Sequence, residues 1–172
     1  MVTINASTTS GLVMTSDLSG NLQFQNNGVN LPMGGVAPAF SAYQSSAQTL
    51  SGATLTKIQF QTEEWDTNNN FDSTTNYRFT PTVAGYYQVQ GKIQPSASYT
   101  AGIVAIYKNG AVYKYGSYNA NATGVAQPSM SCLVYCNGST DYVEFYASVT
   151  TGQILDATAP MTWFQGCLVR GA

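Results

Sequence analysis

One stretch of the sequence has the residue types and the spacing of a calcium loop. In EEWDTNNNFD, residues 63–72, oxygen-bearing side chains recur at every second position: Asp66, Asn68, Asn70 and Asp72. Carboxylate and amide oxygens at this spacing resemble the first half of an EF-hand loop. The sixth position of such a loop needs glycine but holds Phe71, and the twelfth needs glutamate but holds Tyr77. The pattern therefore favours an inter-strand loop built on tight Asn and Asp turns, with calcium binding as the weaker alternative.

Two pairs of carboxylates lie close enough in sequence to suggest the acid–base chemistry of a glycosidase, namely Glu63/Glu64 and Asp141/Glu144. Both pairs fall at predicted strand ends or on sheet surfaces. The chain contains no histidine, which removes Ser–His and Cys–His nucleophiles and most zinc sites. Since no reaction template finds its full set of groups, the sequence predicts a protein that is not an enzyme, with no catalytic residues and no cofactor.

The three cysteines, Cys132, Cys136 and Cys167, are the remaining reactive groups. Cys132 and Cys136 lie on the same face of one predicted strand. At about 3.3 Å per residue their Cα atoms are too far apart for a disulfide. Buried free thiols that act as small hydrophobic groups are therefore favoured over a disulfide or a metal site.

The composition limits the classes of partner. Of 172 residues only 8% are charged, where roughly a quarter is typical, and the formal net charge is −2 with no basic cluster. These values predict no nucleic-acid partner. The N-terminus MVTINASTTS is polar and no apolar run is long enough to span a bilayer, so we expect no secretion signal, no membrane partner and synthesis in a cytoplasm.

Short strands with Gly, Pro and Asn turns recur from residue 39 onward, and no segment has a convincing helical pattern. In FTPTVAGYYQV, residues 79–89, Pro81 and Gly85 predict a constrained corner before a strand whose residues Tyr87 and Val89 face the core. Asn109-Gly110 is the strongest local hairpin signal. The last strand, in MTWFQGCLVRGA, is apolar on both faces and is expected to be buried.

Residues 1–37 differ from the rest, because they are rich in Gly, Asn and Ser and alternate only briefly around Leu22 and Phe24. Such a segment can form a short hairpin but buries little apolar surface by itself. We therefore predict two parts, an N-terminal anchoring arm at 1–37 and a head domain at 38–172. The apolar residues expected to anchor the arm are Leu12, Val13, Leu22 and Phe24.

Four segments occur in the order of the landmarks of a known superfamily: AFSAYQ (39–44), NFDSTTNYRFTPTVAGYYQV (70–89), IYKNG (106–110) and WFQGCLV (163–169). In these segments the chain resembles the complement-1q head and tumour necrosis factor superfamily over about residues 38–170. The resemblance implies an all-β, antiparallel jelly-roll sandwich that assembles as a homotrimer. Where the family usually has Gly-Asp before its penultimate strand, the chain has NGSTDYVEF (137–145), which leaves open whether Asp141 is the counterpart.

Tyrosine is enriched at protein interfaces, and the chain has 12 tyrosines. Tyr86 alternates with the core-facing Tyr87 and is expected to meet a neighbouring subunit, with plain exposure as the alternative. Tyr113 and Tyr115 are the other candidates for the trimer interface.

The arm segment TSGLVMTSDLSGNLQFQNNG resembles segments of tailed-bacteriophage virion proteins. This resemblance favours a structural virion component, a capsid decoration or cement protein or a short head or tail fibre, docked on a capsid or tail protein through its arm. The alternative is a tip that binds a host receptor or glycan, where aromatic and polar residues in KYGSYNANATG (114–124) stack on sugars. A secreted receptor ligand would need a route out of the cell, which the polar N-terminus does not offer.

Overall fold

The computed structural model describes residues 24–26, 29–31, 37–122, 126–150, 153–157 and 161–172. The chain divides into two compact units, Met1–Ala37 and Pro38–Ala172. The described part of the first unit contains two strands, β1 (Phe24–Asn26) and β2 (Val29–Leu31), which pair as an antiparallel hairpin. The anchoring role of this unit stays a prediction.

The second unit contains thirteen strands in the described residues. They are β3 (Ala39–Tyr43), β4 (Gln48–Thr49), β5 (Thr56–Lys57), β6 (Thr62–Asp66), β7 (Phe71–Asp72), β8 (Arg78–Phe79), β9 (Ala84–Lys92), β10 (Tyr99–Lys108), β11 (Ala111–Ala122), β12 (Ser129–Asn137), β13 (Val143–Val149), β14 (Ile154–Leu155) and β15 (Trp163–Gly171).

Two antiparallel sheets form the body of this unit. One has five strands in the order β12-β9-β15-β3-β6, and the other has the order β11-β10-β13-β8-β7, with β5 also pairing with β13. Strands β4 and β14 form a separate small pair. The prediction of an all-β antiparallel sandwich is confirmed. At one side of the sandwich the edge strands are β12 and β11, and at the other side they are β6 and β7.

The core lies between the two sheets and is rich in phenylalanine. Phe40 of the five-stranded sheet stacks on Phe79 of the other sheet, with ring centroids 4.4 Å apart. Phe164 packs similarly against Phe145 at 5.6 Å. Alternate residues of each strand point inward, so Tyr87 and Val89 are buried as their period predicted.

Of the two turns that the sequence predicted, one is confirmed and the other is wrong. The Asn109-Gly110 hairpin is confirmed, because it joins β10 to β11 with φ values of 53° and 79°. Gly85 does not form the predicted corner, since it lies inside β9, opposite Gly171. A Cβ at Gly85 would collide with the carbonyl oxygen of Arg170, so the glycine is needed for close approach of two backbones.

The last strand is only half buried. Phe164 is fully buried, whereas Val169 is 59% exposed next to a bulge between Leu168 and Arg170. The expectation that this strand is buried on both faces is therefore wrong for its second half, where the bulge interrupts the alternation. None of the described segments is a helix long and apolar enough to cross a membrane.

Candidate functional site

Side-chain oxygens of the weak calcium candidates accept hydrogen bonds from the loop and its neighbouring segment. The carboxylate of Asp66 accepts hydrogen bonds from the backbone N–H groups of Asn68 at 3.1 Å and Phe71 at 2.6 Å. The side chain of Asn70 donates to the Asn68 carbonyl and accepts from Thr82. These are turn hydrogen bonds, and no group of three or more His, Cys, Asp or Glu side chains able to hold a metal occurs in the described residues.

The fourth candidate, Asp72, organises the next turn. Its carboxylate accepts hydrogen bonds from the backbone N–H groups of Thr74, Thr75 and Asn76 at 2.9 to 3.1 Å, and from the Asn76 side-chain amide at 2.7 Å. These bonds, that from Thr75 first, hold the pKa of Asp72 well below its usual range, while burial opposes them. Asp72 is thus an ionised group that fixes the loop between β7 and β8.

A polar pocket lies beside this loop, at the β6 and β7 side of the sandwich. Its volume is about 490 Å³. Its walls come from β6, from the Asp66 and Asp72 turns and from the segment after β8; the lining residues are Glu63, Asn69, Asn70, Phe71, Asp72, Ser73, Thr74, Asn76, Arg78, Thr80 and Thr82. We call this cavity the polar pocket. The alternating Asn and Asp residues made Asn70 and Asp72 candidate metal ligands, whereas no sequence pattern indicated Arg78 as a site residue.

Each carboxylate of the two sequence pairs has its own partner. Glu63 accepts the Ser73 hydroxyl and Glu64 accepts the Ser41 hydroxyl, both at 2.6 Å. The buried Glu144 forms an ion pair with Lys57 at 2.5 Å. Asp141 forms one with Lys108 at 2.9 Å. Each of the four carboxylates is therefore held by a hydrogen bond or an ion pair of its own.

A second candidate surface is on the outward face of the five-stranded sheet. Tyr86 of β9 lies directly opposite Tyr135 of β12, and their ring centroids are 5.4 Å apart. Leu133 lies two residues before Tyr135 on the same face, because Val134 between them is buried. Tyr86 is 48% exposed and Leu133 is 49% exposed. We call Tyr86, Leu133 and Tyr135 the tyrosine patch.

The three tyrosines predicted at the trimer interface do not lie together. The hydroxyl of Tyr113 donates to the Leu133 carbonyl at 3.2 Å, which places Tyr113 at the border of the tyrosine patch. Tyr115 faces outward from the other sheet, because a Cβ at its neighbour Gly116 would point into the core against Val104. The structure thus places Tyr86 and Tyr113 near each other and Tyr115 elsewhere, and their role as interface residues stays a prediction.

The segment proposed to stack on sugars is described only in part. Tyr115 and Tyr118 are exposed, and Tyr118 borders a second cavity of about 210 Å³. Residues 123–125 lie outside the described residues. The arm-anchoring candidates Leu12, Val13 and Leu22 also lie outside them, and only the backbone of Phe24 is described, at the start of β1.

Leu133 and Tyr135 were not among the residues predicted at the interface, although the alternation of β12 indicated that both face outward. The alternation of β12 placed Val134 and Cys136 on the core face, which leaves Leu133 and Tyr135 on the opposite face. That these two residues adjoin Tyr86 depends on the pairing of β12 with β9, which no local pattern indicates.

Comparisons with known proteins place the fold. No protein-family model matches the chain, and no curated protein matches it in sequence. Among solved structures, the globular domain of zebrafish complement 1qA protein is similar with a TM-score of 0.57 and 16% identity, over 78% of this chain and 99% of that one. Murine APRIL has a TM-score of 0.61 and 5% identity, over 77% and 98%.

A vertex protein is also among the similar structures. The PRD1 vertex protein P5 has a TM-score of 0.58 and 14% identity, over 79% of this chain and 99% of that one. At these identities the similarities show the fold alone. The sandwich of β3 to β15 is therefore a jelly roll of the kind found in complement-1q heads and tumour-necrosis-factor-like proteins.

Proposed function

We propose that the protein is a non-enzymatic, homotrimeric structural component of a bacteriophage virion, a capsid decoration or cement protein or a short fibre, docked through residues 1–37. The observation that carries the trimer is the tyrosine patch. Two tyrosines and a leucine, each more than a third exposed, lie together on one sheet face. Clustered aromatic and aliphatic groups on a surface are typical of the centre of an interface.

The occupant that we propose for the tyrosine patch is a second copy of the chain. On the outward face of β9, Tyr86 is followed by Gln88 and Gln90, which are uncharged and half-buried. The patch is bordered by Lys108, which is 5.7 Å from the Tyr135 ring centroid and already paired with Asp141, and by Arg170 of β15, which is in register with Tyr86. Because the patch itself carries no charged side chain, identical copies meet it with little like-charge repulsion.

The virion role has separate support. The head has the fold of a phage vertex protein, PRD1 P5. Only 8% of the residues are charged, which suits a surface that is largely covered by assembly partners. Residues 1–37 form a compact unit of their own, and we assign to this unit the docking on a capsid or tail protein.

The trimer is tested by light scattering coupled to size exclusion, on the full chain over a range of concentrations. We expect the mass of a trimer for the wild type and of a monomer for Leu133→Asp, which places a charge in the patch. The matched control is Ile154→Asp, because Ile154 is 48% exposed in the separate β4–β14 pair. A monomeric wild type, or equal dissociation of both variants, would contradict the proposal.

The alternative role, attachment to a host receptor or glycan, needs a ligand site on the head. The polar pocket supports this alternative, since it is a concave site lined by amide, hydroxyl and charged groups.

A further inference from the structure

The polar pocket and the tyrosine patch lie at opposite sides of the sandwich. The patch is on β9 and the edge strand β12, whereas the pocket is on the edge strands β6 and β7. The patch and the pocket therefore share no strand and no residue. A ligand at the pocket does not have to compete with contacts made at the patch.

Three side chains of the pocket wall have hydrogen-bonding capacity left over. The guanidinium of Arg78 has no hydrogen bond or ion pair within the described residues, and its central carbon lies 4.3 Å from the centre of the Tyr142 ring. Glu63 accepts one hydroxyl, that of Ser73, on only one of its two oxygens. The hydroxyl of Thr80 has no partner within the described residues.

The remaining wall is held in place by internal bonds. Asp72 accepts from three backbone N–H groups, and Asn70 links the Asn68 carbonyl to Thr82. The Tyr142 ring supports the flat guanidinium of Arg78. The wall that carries the unpaired donors and acceptors is therefore already ordered before a ligand binds, which lowers the entropic cost of binding.

The balance of charge selects the ligand. The pocket contains one guanidinium and two carboxylates, Glu63 and Asp72, so an anionic ligand meets net repulsion. The oxygens of Asp72 are already satisfied, which disfavours a free cation as the occupant. A hydroxyl group both donates and accepts, so neighbouring hydroxyls can donate to Glu63 and accept from Arg78. A volume of about 490 Å³ is within the range of small-molecule sites.

We propose that the polar pocket binds a neutral saccharide, with adjacent hydroxyls of one sugar ring bridging Glu63 and Arg78 and a further hydroxyl at Thr80. This site names a ligand class for the host-attachment alternative. Sugar binding can be measured whether or not that alternative holds, and only its biological meaning rests on the attachment role. It does not depend on the trimer, so the failure of either proposal leaves the other standing.

The test is a titration of the full chain followed by the NMR shifts of its backbone amides. The probes are glucose, galactose, mannose and N-acetylglucosamine, each added separately. We expect at least one of them to shift amides of residues 69–82 in a saturable way. Glu63→Gln should weaken that binding about tenfold, since a hydrogen bond to a charged group is lost.

The matched control is Glu64→Gln. Glu64 is adjacent in sequence and also accepts one serine hydroxyl at 2.6 Å, but it does not line the pocket. Its substitution should leave the affinity unchanged. A second pair of variants is Arg78→Lys and Arg78→Gln. Lysine keeps the positive charge but loses the planar fork of donors, and glutamine loses both, so both variants should weaken binding. Circular dichroism establishes that each variant is folded.

Four results would overturn the proposal. The first is that none of the four neutral sugars shifts the amides of residues 69–82 in a saturable way, and the second is that Glu64→Gln weakens binding as much as Glu63→Gln. The third is that N-acetylneuraminic acid binds at this pocket more tightly than every neutral sugar. The fourth is that calcium chloride alone shifts the same amides in a saturable way. The Leu133→Asp monomer should bind the sugar as the wild type does, which separates this test from that of the trimer.

Discussion

Tyr86 of β9 and Tyr135 of β12, 49 residues apart along the chain, lie opposite each other in direct register, with ring centroids 5.4 Å apart. Both side chains are partly exposed, so their rings are accessible for contact with another subunit. Tyrosines in such clusters carry a large share of the binding energy of an interface.

 We expect Tyr86→Ala and Tyr135→Ala each to raise the dissociation constant of the trimer at least tenfold. The free energy of unfolding of the isolated subunit should change by only about 0.5 kcal/mol, because both positions are partly exposed.

Sedimentation equilibrium measures the dissociation constant. Tyr118→Ala is the control, since Tyr118 is 63% exposed on β11 of the other sheet. If all three variants assemble equally well, the tyrosine patch is not the contact between copies.

Removal of residues 1–37 should separate assembly from docking. A chain that begins at Pro38 keeps the whole jelly-roll unit and the tyrosine patch. We expect it to remain trimeric by light scattering but to lose binding to phage particles that lack the protein. Rebinding as strong as that of the full chain would show that the arm is not the anchor, and a monomeric product would show that the arm is needed for assembly.

Asp141 should be important for stability, because it joins two turns. Its carboxylate accepts hydrogen bonds from the Asn109 side chain at 2.7 Å and from the Asn137 backbone N–H at 3.0 Å, and it pairs with Lys108 at 2.9 Å. The Asp141→Asn variant loses the ion pair and one strong acceptor. We expect the free energy of unfolding, measured with urea, to fall by about 2–3 kcal/mol.

The lowered pKa values of Asp141 and Asp72 predict that the folded state loses stability in acid. The Asn109 amide and then Lys108 lower the pKa of Asp141, and the Thr75 backbone N–H first among several lowers that of Asp72. A group whose pKa is lower in the folded state stabilises the fold above its unfolded pKa, about 3.9 for aspartate. Stability should therefore decline as the pH falls below about 4. Asp141→Asn should decline less steeply; an unchanged acid slope would contradict the role of Asp141.

Gly85 and Gly171 offer a matched pair for the close approach of β9 and β15. A Cβ at Gly85 would collide with the Arg170 carbonyl oxygen, whereas a Cβ at Gly171 would meet no atom within 4 Å. We expect Gly85→Ala to lower the free energy of unfolding by about 1–3 kcal/mol and Gly171→Ala to leave it nearly unchanged. Thermal unfolding of both variants measures the difference, and equal melting temperatures would show that the β15 bulge adapts without cost.

Local patterns predicted the parts of the fold that depend on neighbours in sequence. The alternation in β9 indicated that Tyr87 and Val89 are buried, because successive residues of a strand face opposite sides. Asn109-Gly110 indicated a hairpin, because both residues tolerate positive φ. Ile58 and Phe60 alternate with Gln59 and Gln61 in the sequence and both are buried, but they lie outside the strands, so this alternation goes with burial and not with strand pairing.

The sequence by itself determined the Asn109-Gly110 hairpin and the inward face of β9, since both depend on short-range geometry, and its landmark segments indicated the complement-1q and tumour necrosis factor jelly roll by resemblance. Only the tertiary structure decided that Tyr86 adjoins Tyr135 and that Glu63 and Arg78 share one pocket. The physical reason is that strand order and register come from long-range pairing and packing of the whole core, which no short segment encodes.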